Sequence, residues 1–245
     1  MDNRYFVLFF IGALLAGCSG MQRPATINNI SEVYAVDSIP SSLDVPLSSI
    51  TLDESCVIVQ KSMKEHDTSL NVAAAAAGPI GILIASSVIK EETLKEVDGV
   101  APLKAFDLTN AVYSLLKDMQ SKQELPNMLT PVTKPGNGLR YELHPYLYVV
   151  PDGLEHVDIL VAVSVSLLDA DDDEIWGGQY VRHIYPLVPK ATIKDEMKMS
   201  AILVSGLKDT LSVFISDLKG SVEKKDEAPV ILTAMNSHTL SAKEG

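Results

Sequence analysis

The sequence predicts an α+β domain: a single mostly antiparallel sheet with two long helices packed on one face, in the order strand, helix, three strands, helix, plus an Ala- and Gly-rich hydrophobic insertion. Three observations predict it. Two segments carry apolar residues at spacings of three and four, two neighbouring segments alternate in polarity ahead of a third strand, and turn-forming clusters separate them. A helix with one apolar stripe must bury that stripe, and one sheet face can cover two such helices.

The domain is read over residues 56–220. Val57 to Gln60 forms its first strand. Cys56, just before it, reads as a small core hydrophobe, with an intermolecular disulfide or a reactive thiol as alternatives. Residues 103–123 form the first helix, because Leu108, Val112, Leu115, Leu116 and Met119 fall on one side. Pro126 and Pro131 end it, and residues 135–138, Pro-Gly-Asn-Gly, make a turn. In the strand 139–150, Leu139, Tyr141 and Leu143 alternate with polar residues, and Pro145 marks a bulge or an edge. In 157–168, the odd positions from Val157 to Leu167 are apolar. Leu160, Ala162 and Leu168 make the other face mixed, so this strand belongs in the middle of the sheet. An acidic turn, 169–174, leads into the strand 175–184, where Gly177 and Gly178 read as a bulge. The second helix runs from about Thr192, its cap, to Leu218. Asp195 and Glu196 suit its positive end, Ile202, Leu203, Leu207, Leu211, Phe214, Ile215 and Leu218 form its stripe, and Gly220 stops it.

Outside these elements, residues 18–55 read as a tether rich in Ser, Asn, Asp and Pro, with short extended pieces such as residues 33–36. Residues 221–245 read as a flexible tail, apolar only at Val230, Ile231 and Leu232. The uncharged insertion, 72–89, includes five consecutive alanines, and Gly78, Pro79 and Gly81 would break a helix near its middle. Two short segments on the domain's own core, a hairpin dipping into a membrane or partner, and a membrane span are the open readings.

The first 17 residues have the layout of a secretory signal: Arg4, then an uncharged apolar run from Tyr5 to Ala16, shorter than the roughly 20 residues a membrane helix needs. The run ends in Leu15, Ala16, Gly17 and Cys18. This resembles the lipobox of bacterial lipoproteins, in which a leucine and small residues precede the cysteine that becomes the new N-terminus. The resemblance implies cleavage before Cys18, a diacylglyceryl thioether on its sulfur and a fatty acyl chain, such as palmitate, on its amine. Several chains hold a protein at a membrane essentially permanently. Ser19 in place of aspartate implies the periplasmic face of the outer membrane.

Composition narrows the function. The net charge of -12 and the lack of a Lys/Arg cluster argue against nucleic acid and against adhesion to anionic lipid. With Cys18 acylated, Cys56 has no partner within the chain, so a disulfide-stapled fold is excluded. Asp169, Asp171 and Asp173 have the spacing that opens a calcium loop, yet Glu174 stands where glycine is needed and Tyr180 where glutamate is needed. The turn therefore reads as solvated, with no metal. The histidines, at 66, 144, 156, 183 and 238, lack ligand spacing; His144, His156 and His183 could meet only through folding. No nucleophile elbow, phosphate loop or dinucleotide fingerprint occurs, so no cofactor and no enzymatic activity are expected.

Residues 160–180 contain Leu168, Asp169, the polar turn, Ile175, Trp176 and Tyr180, followed by the second helix. This hairpin is similar to one in auxiliary lipoproteins of ABC-type lipid transport systems and in modules like the N-terminal domain of TolB. The resemblance implies a domain that binds proteins or lipids. The expected function is thus a lipid-anchored, non-catalytic binding or assembly module in the periplasm, accessory to a transport or secretion system. Its partners would be the membrane, through Cys18, and an envelope protein or lipid. The alternatives are a membrane-active oligomer using residues 72–89, and an envelope hydrolase using residues such as His183 and Asp158.

Overall fold

A computed structural model describes residues 31–40, 43, 49–52, 55–60, 97, 99–152 and 155–220. It is mixed α+β, with one sheet of several strands and three helices. In chain order the elements are β1 (Ser31–Ala35), β2 (Ile50–Thr51), β3 (Val57–Val59), a 3₁₀ turn (Ala101–Ala105), α1 (Leu108–Ser121), β4 (Leu129–Pro131), β5 (Arg140–Asp152), β6 (His156–Leu168), β7 (Glu174–His183), β8 (Val188–Pro189), α2 (Lys190–Ile193) and α3 (Glu196–Leu218).

The long strands β5 and β6 pair antiparallel without a break in register, from Arg140 opposite Leu168 to Asp152 opposite His156. β7 runs antiparallel along the other edge of β6, and β8 continues that edge beyond it. Along the free edge of β5, β1 and β3 lie end to end, both parallel to it, with β4 outside β1 and β2 outside β3. The extensive pairings are thus antiparallel, and three short ones are parallel. β6 sits between β5 and β7, as its two-sided composition suggested, and Leu160 and Ala162 on its second face are buried.

Residues 31–35 correct the reading of 18–55 as tether. They form β1, held between β4 and β5, with Val33 wholly buried. The sequence marks a short extended piece here, at residues 33–36, but its place is fixed by the two strands that flank it. Pro145 falls in the gap between β1 and β3. Leu147 donates to Cys56 O, and Leu143 O accepts from Val36, so odd positions of β5 point toward that edge. The missing N–H of Pro145 therefore removes no ladder bond.

The expected bulge is displaced. β6 and β7 slip by one residue between Leu167 and Leu168, leaving Ile175 unpaired, while Gly177 and Gly178 stay in register. The glycines make room for side chains instead. A Cβ on Gly178 would lie 2.6 Å from the Trp176 ring, and one on Gly177 would lie 2.8 Å from Glu174 Oε1.

α1 begins later than its pattern suggested, because Asp107 caps it: the carboxylate accepts from Asn110 N at 2.8 Å. The second long helix is divided. Lys190–Ile193 is a separate turn, and Asp195, not Thr192, caps α3 by accepting from Lys198 N. α1 touches β1, β4, β5 and α3, whereas α3 touches β6 and β7. The apolar stripe of α1 is buried in full, and Leu203, Leu207, Leu211 and Phe214 of α3 are inaccessible to solvent. Phe214 meets Tyr141 edge-on at 5.6 Å and Tyr180 at 5.4 Å. By length and composition α3 could cross a membrane, yet this stripe faces the sheet.

Candidate functional site

Strand alternation divides β5 into two sets. Tyr141, Leu143, Leu147 and Val149 are apolar or aromatic, and Tyr141 meets α3. The intervening positions carry Arg140, Glu142, His144, Tyr146 and Tyr148 on the opposite face. Here lies a continuous polar row. The Tyr34 hydroxyl donates to Glu142, His144 Nε2 lies 2.8 Å from Glu142 Oε1, and His144 Nδ1 lies 3.1 Å from both the hydroxyl and the main-chain oxygen of Ser38. Burial, and then the bond to Glu142, push the Tyr34 phenol upward from its ordinary range. Tyr146, fully buried, receives a bond from the Gln179 amide.

Arg140, itself buried, begins the row. It pairs with Asp172, and its guanidinium donates to the main-chain oxygens of Asp169 at 2.9 Å and Gly138 at 3.2 Å. The acidic turn is organised by these donors. The Asp169 carboxylate accepts from the amides of Asp171 and Asp173 at 2.9 and 3.0 Å, and Asp172 takes a positive φ of 67°. Among the described residues, no group of three His, Cys, Asp or Glu is placed to hold a metal ion.

At the far end of the row, Asp37, Ser38, Ile39, Thr51, Leu52, Ser55 and Cys56 line an open cleft of about 500 Å³. The Cys56 thiol is buried and donates to Asp37 Oδ1 at 3.4 Å. Burial, with the neighbouring Asp37 carboxylate, pushes the thiol from 9.0 up to about 12, so it is not a nucleophile near neutral pH.

The three described histidines stand apart. His144 lies opposite Ser164, His183 opposite Leu160, and His156 at the end of β6 opposite Pro189. Asp158 and His183 do come together: the carboxylate bonds His183 Nε2, and the exposed Tyr185 ring stands edge-on to the imidazole at 4.7 Å. Leu15, Ala16, Gly17, Cys18, His66, the insertion 72–89, His238 and the tail 221–245 lie outside the described residues.

A second surface lies on β7. Among the described residues, β7 pairs with β6 alone, and Ile175 and Val181 are exposed large apolar side chains. Sequence reasoning overlooked both places. Arg140, Glu142 and His144 at alternate positions of one strand were a legible signal that they share a face. The openness of β7 had no such signal, because edge status depends on the strand that is not beside it.

Comparison with known proteins adds no relative: no family model, curated protein or solved structure matches the chain.

Proposed function

We propose that this chain is a lipoprotein anchored through Cys18 to the periplasmic face of the bacterial outer membrane, and that its folded unit is a non-catalytic binding or assembly module. α1 and α3 make one layer over one face of the sheet, and the module works through the sheet they leave open. The lipobox-like residues Leu15 to Cys18 and the acidic charge support the anchor. The observation that carries the binding role is β7, which pairs with β6 alone among the described residues and has Ile175 and Val181 exposed. In the β5 row Glu142 bonds Tyr34 and His144, His144 stitches the loop after β1 to the sheet, and Arg140 holds the acidic turn. That is a structural use of charge.

The partner class is an envelope protein of a transport or secretion system, as the hairpin resemblance implies. Mass spectrometry of the native protein tests the anchor: a mature start at Cys18 with added acyl mass is expected, and an intact leader defeats it. Crosslinking in intact membranes from a photoreactive residue at position 181 tests the role. Adducts are expected, and their absence at this and other exposed positions defeats it.

One observation favours a second reading, hydrolysis. Ser38, His144 and Glu142 are in hydrogen-bonding sequence beside an open cleft. The Ser38 carbonyl competes for the same imidazole nitrogen, which weakens it. A fluorophosphonate probe that labels Ser38 in the native chain and not in H144A would establish it; no labelling dismisses it.

A further inference from the structure

We propose that β7 joins two copies of this chain, antiparallel about a two-fold axis through Gly178, so that two sheets continue as one. This rests on the binding-module reading and assigns the β7 edge itself to a second copy of this chain. On β5, odd positions bond toward β1 and β3 and even positions toward β6. The register then turns odd positions of β6 toward β7, and even positions of β7 toward β6. The main-chain groups of Gly177, Gln179 and Val181 point outward, where no strand pairs with them among the described residues. Natural edges are guarded by lysine, proline, bulges or inward charge. β7 has its bulge at Ile175, near one end, and its charges at Glu174 and Arg182; residues 175–181 hold neither charge nor proline.

Self-pairing in this register matches like with complement. Ile175 falls opposite Val181, side chains that are 56% and 43% exposed in one copy. Trp176 falls opposite Tyr180 on the other face, and aromatic cross-strand pairs stabilise antiparallel ladders. Gly178 meets Gly178, where backbones approach most freely. Charge fixes the direction. The N-terminal end of β7 follows the acidic turn with Asp169, Asp171, Asp172, Asp173 and Glu174, whereas its C-terminal end carries Arg182 and His183. Antiparallel apposition sets each acidic end beside the basic end of the other copy; parallel apposition would set like beside like. Arg182 retains reach for this, since its contact with Asp209 is a loose 3.5 Å and its side chain is 60% exposed. An isologous contact of this kind closes at two copies and leaves no growing end.

The experiment uses the full-length chain in detergent. Sedimentation should give twice the chain mass at micromolar concentration. Val181→Lys and Ile175→Lys, both at exposed positions, should each weaken association at least about tenfold while leaving the circular dichroism spectrum unchanged. Mixed I175C and V181C chains should oxidise to a peptide linked between positions 175 and 181, and neither variant alone should do so. A dimer without that link overturns the proposed contact. A monomer that crosslinks another protein at β7 overturns self-pairing and leaves the binding module standing. A monomer with no envelope partner at any exposed position overturns both.

Discussion

At Gly206, α3 packs closely against the sheet and the residue that follows it. A Cβ there would lie 2.7 Å from Ile184 Cδ1 and 3.0 Å from Val161 Cγ2. Alanine would gain about 1 kcal/mol of helix propensity over glycine, and the Ile184 tip can swing away, but Val161 is β-branched and fixed in a central strand. Gly206→Leu must move the helix and should lower unfolding free energy by about 2–3 kcal/mol in urea titration. One turn on, the Thr210 hydroxyl reaches the main-chain oxygen of Val161 in β6 at 3.5 Å. Cys56 makes a second test. Because burial lifts its thiol to about 12, maleimide should leave the Cys56 peptide unmodified in native protein near neutral pH and modify it rapidly in urea. Labelling at equal rates in both would contradict the burial. The core role of Cys56 was legible from its apolar neighbours Val57 to Val59, whereas Asp37, whose carboxylate accepts from the thiol, could be located only in space.

β1 shows what an element contributes when its own pattern is weak. Five residues fill the slot between β4 and β5, and Glu32 adds a bond to Gly136 N at 2.5 Å. A chain starting at residue 56, the domain boundary that composition suggested, leaves both neighbours with unpaired ladder groups and uncovers Leu129 and Tyr141. It should fail to give a cooperative unfolding transition, whereas a chain starting at residue 29 should keep one. Thermal unfolding followed by circular dichroism separates these outcomes. The long elements behaved differently. The α1 stripe and the alternation in β5 and β6 were readable because each repeats its period several times, and repetition outweighs local noise. The cap of α3 and the bulge of β7 shifted by a few residues, since either of two acceptable residues serves a terminus and packing chooses between them.

Over the whole molecule, buried acids that are neutral when protonated give a defined pH response. Burial raises Tyr141 and Tyr146 from 10.0 to about 12, Cys56 from 9.0 to about 12, and Tyr34, Tyr148 and Tyr180 in the same direction. The folded state therefore holds these protons more tightly than the unfolded chain. Their stabilising contribution is complete below about pH 9 and falls as pH rises toward about 12. Urea midpoints should be level from about pH 7 to 9 and then decline steeply; a flat profile to pH 11 would mean these groups are hydrated. The sequence by itself determined the α+β class, the two helical stripes and the strand alternation, because each is written in the period or order of neighbouring residues. Only the tertiary structure decided that β1 lies inside the sheet, that Tyr34, Glu142, His144 and Ser38 form one bonded row, and that β7 pairs with β6 alone among the described residues. Those facts depend on contacts between residues about a hundred positions apart, or on a contact that is missing, and no local pattern encodes either.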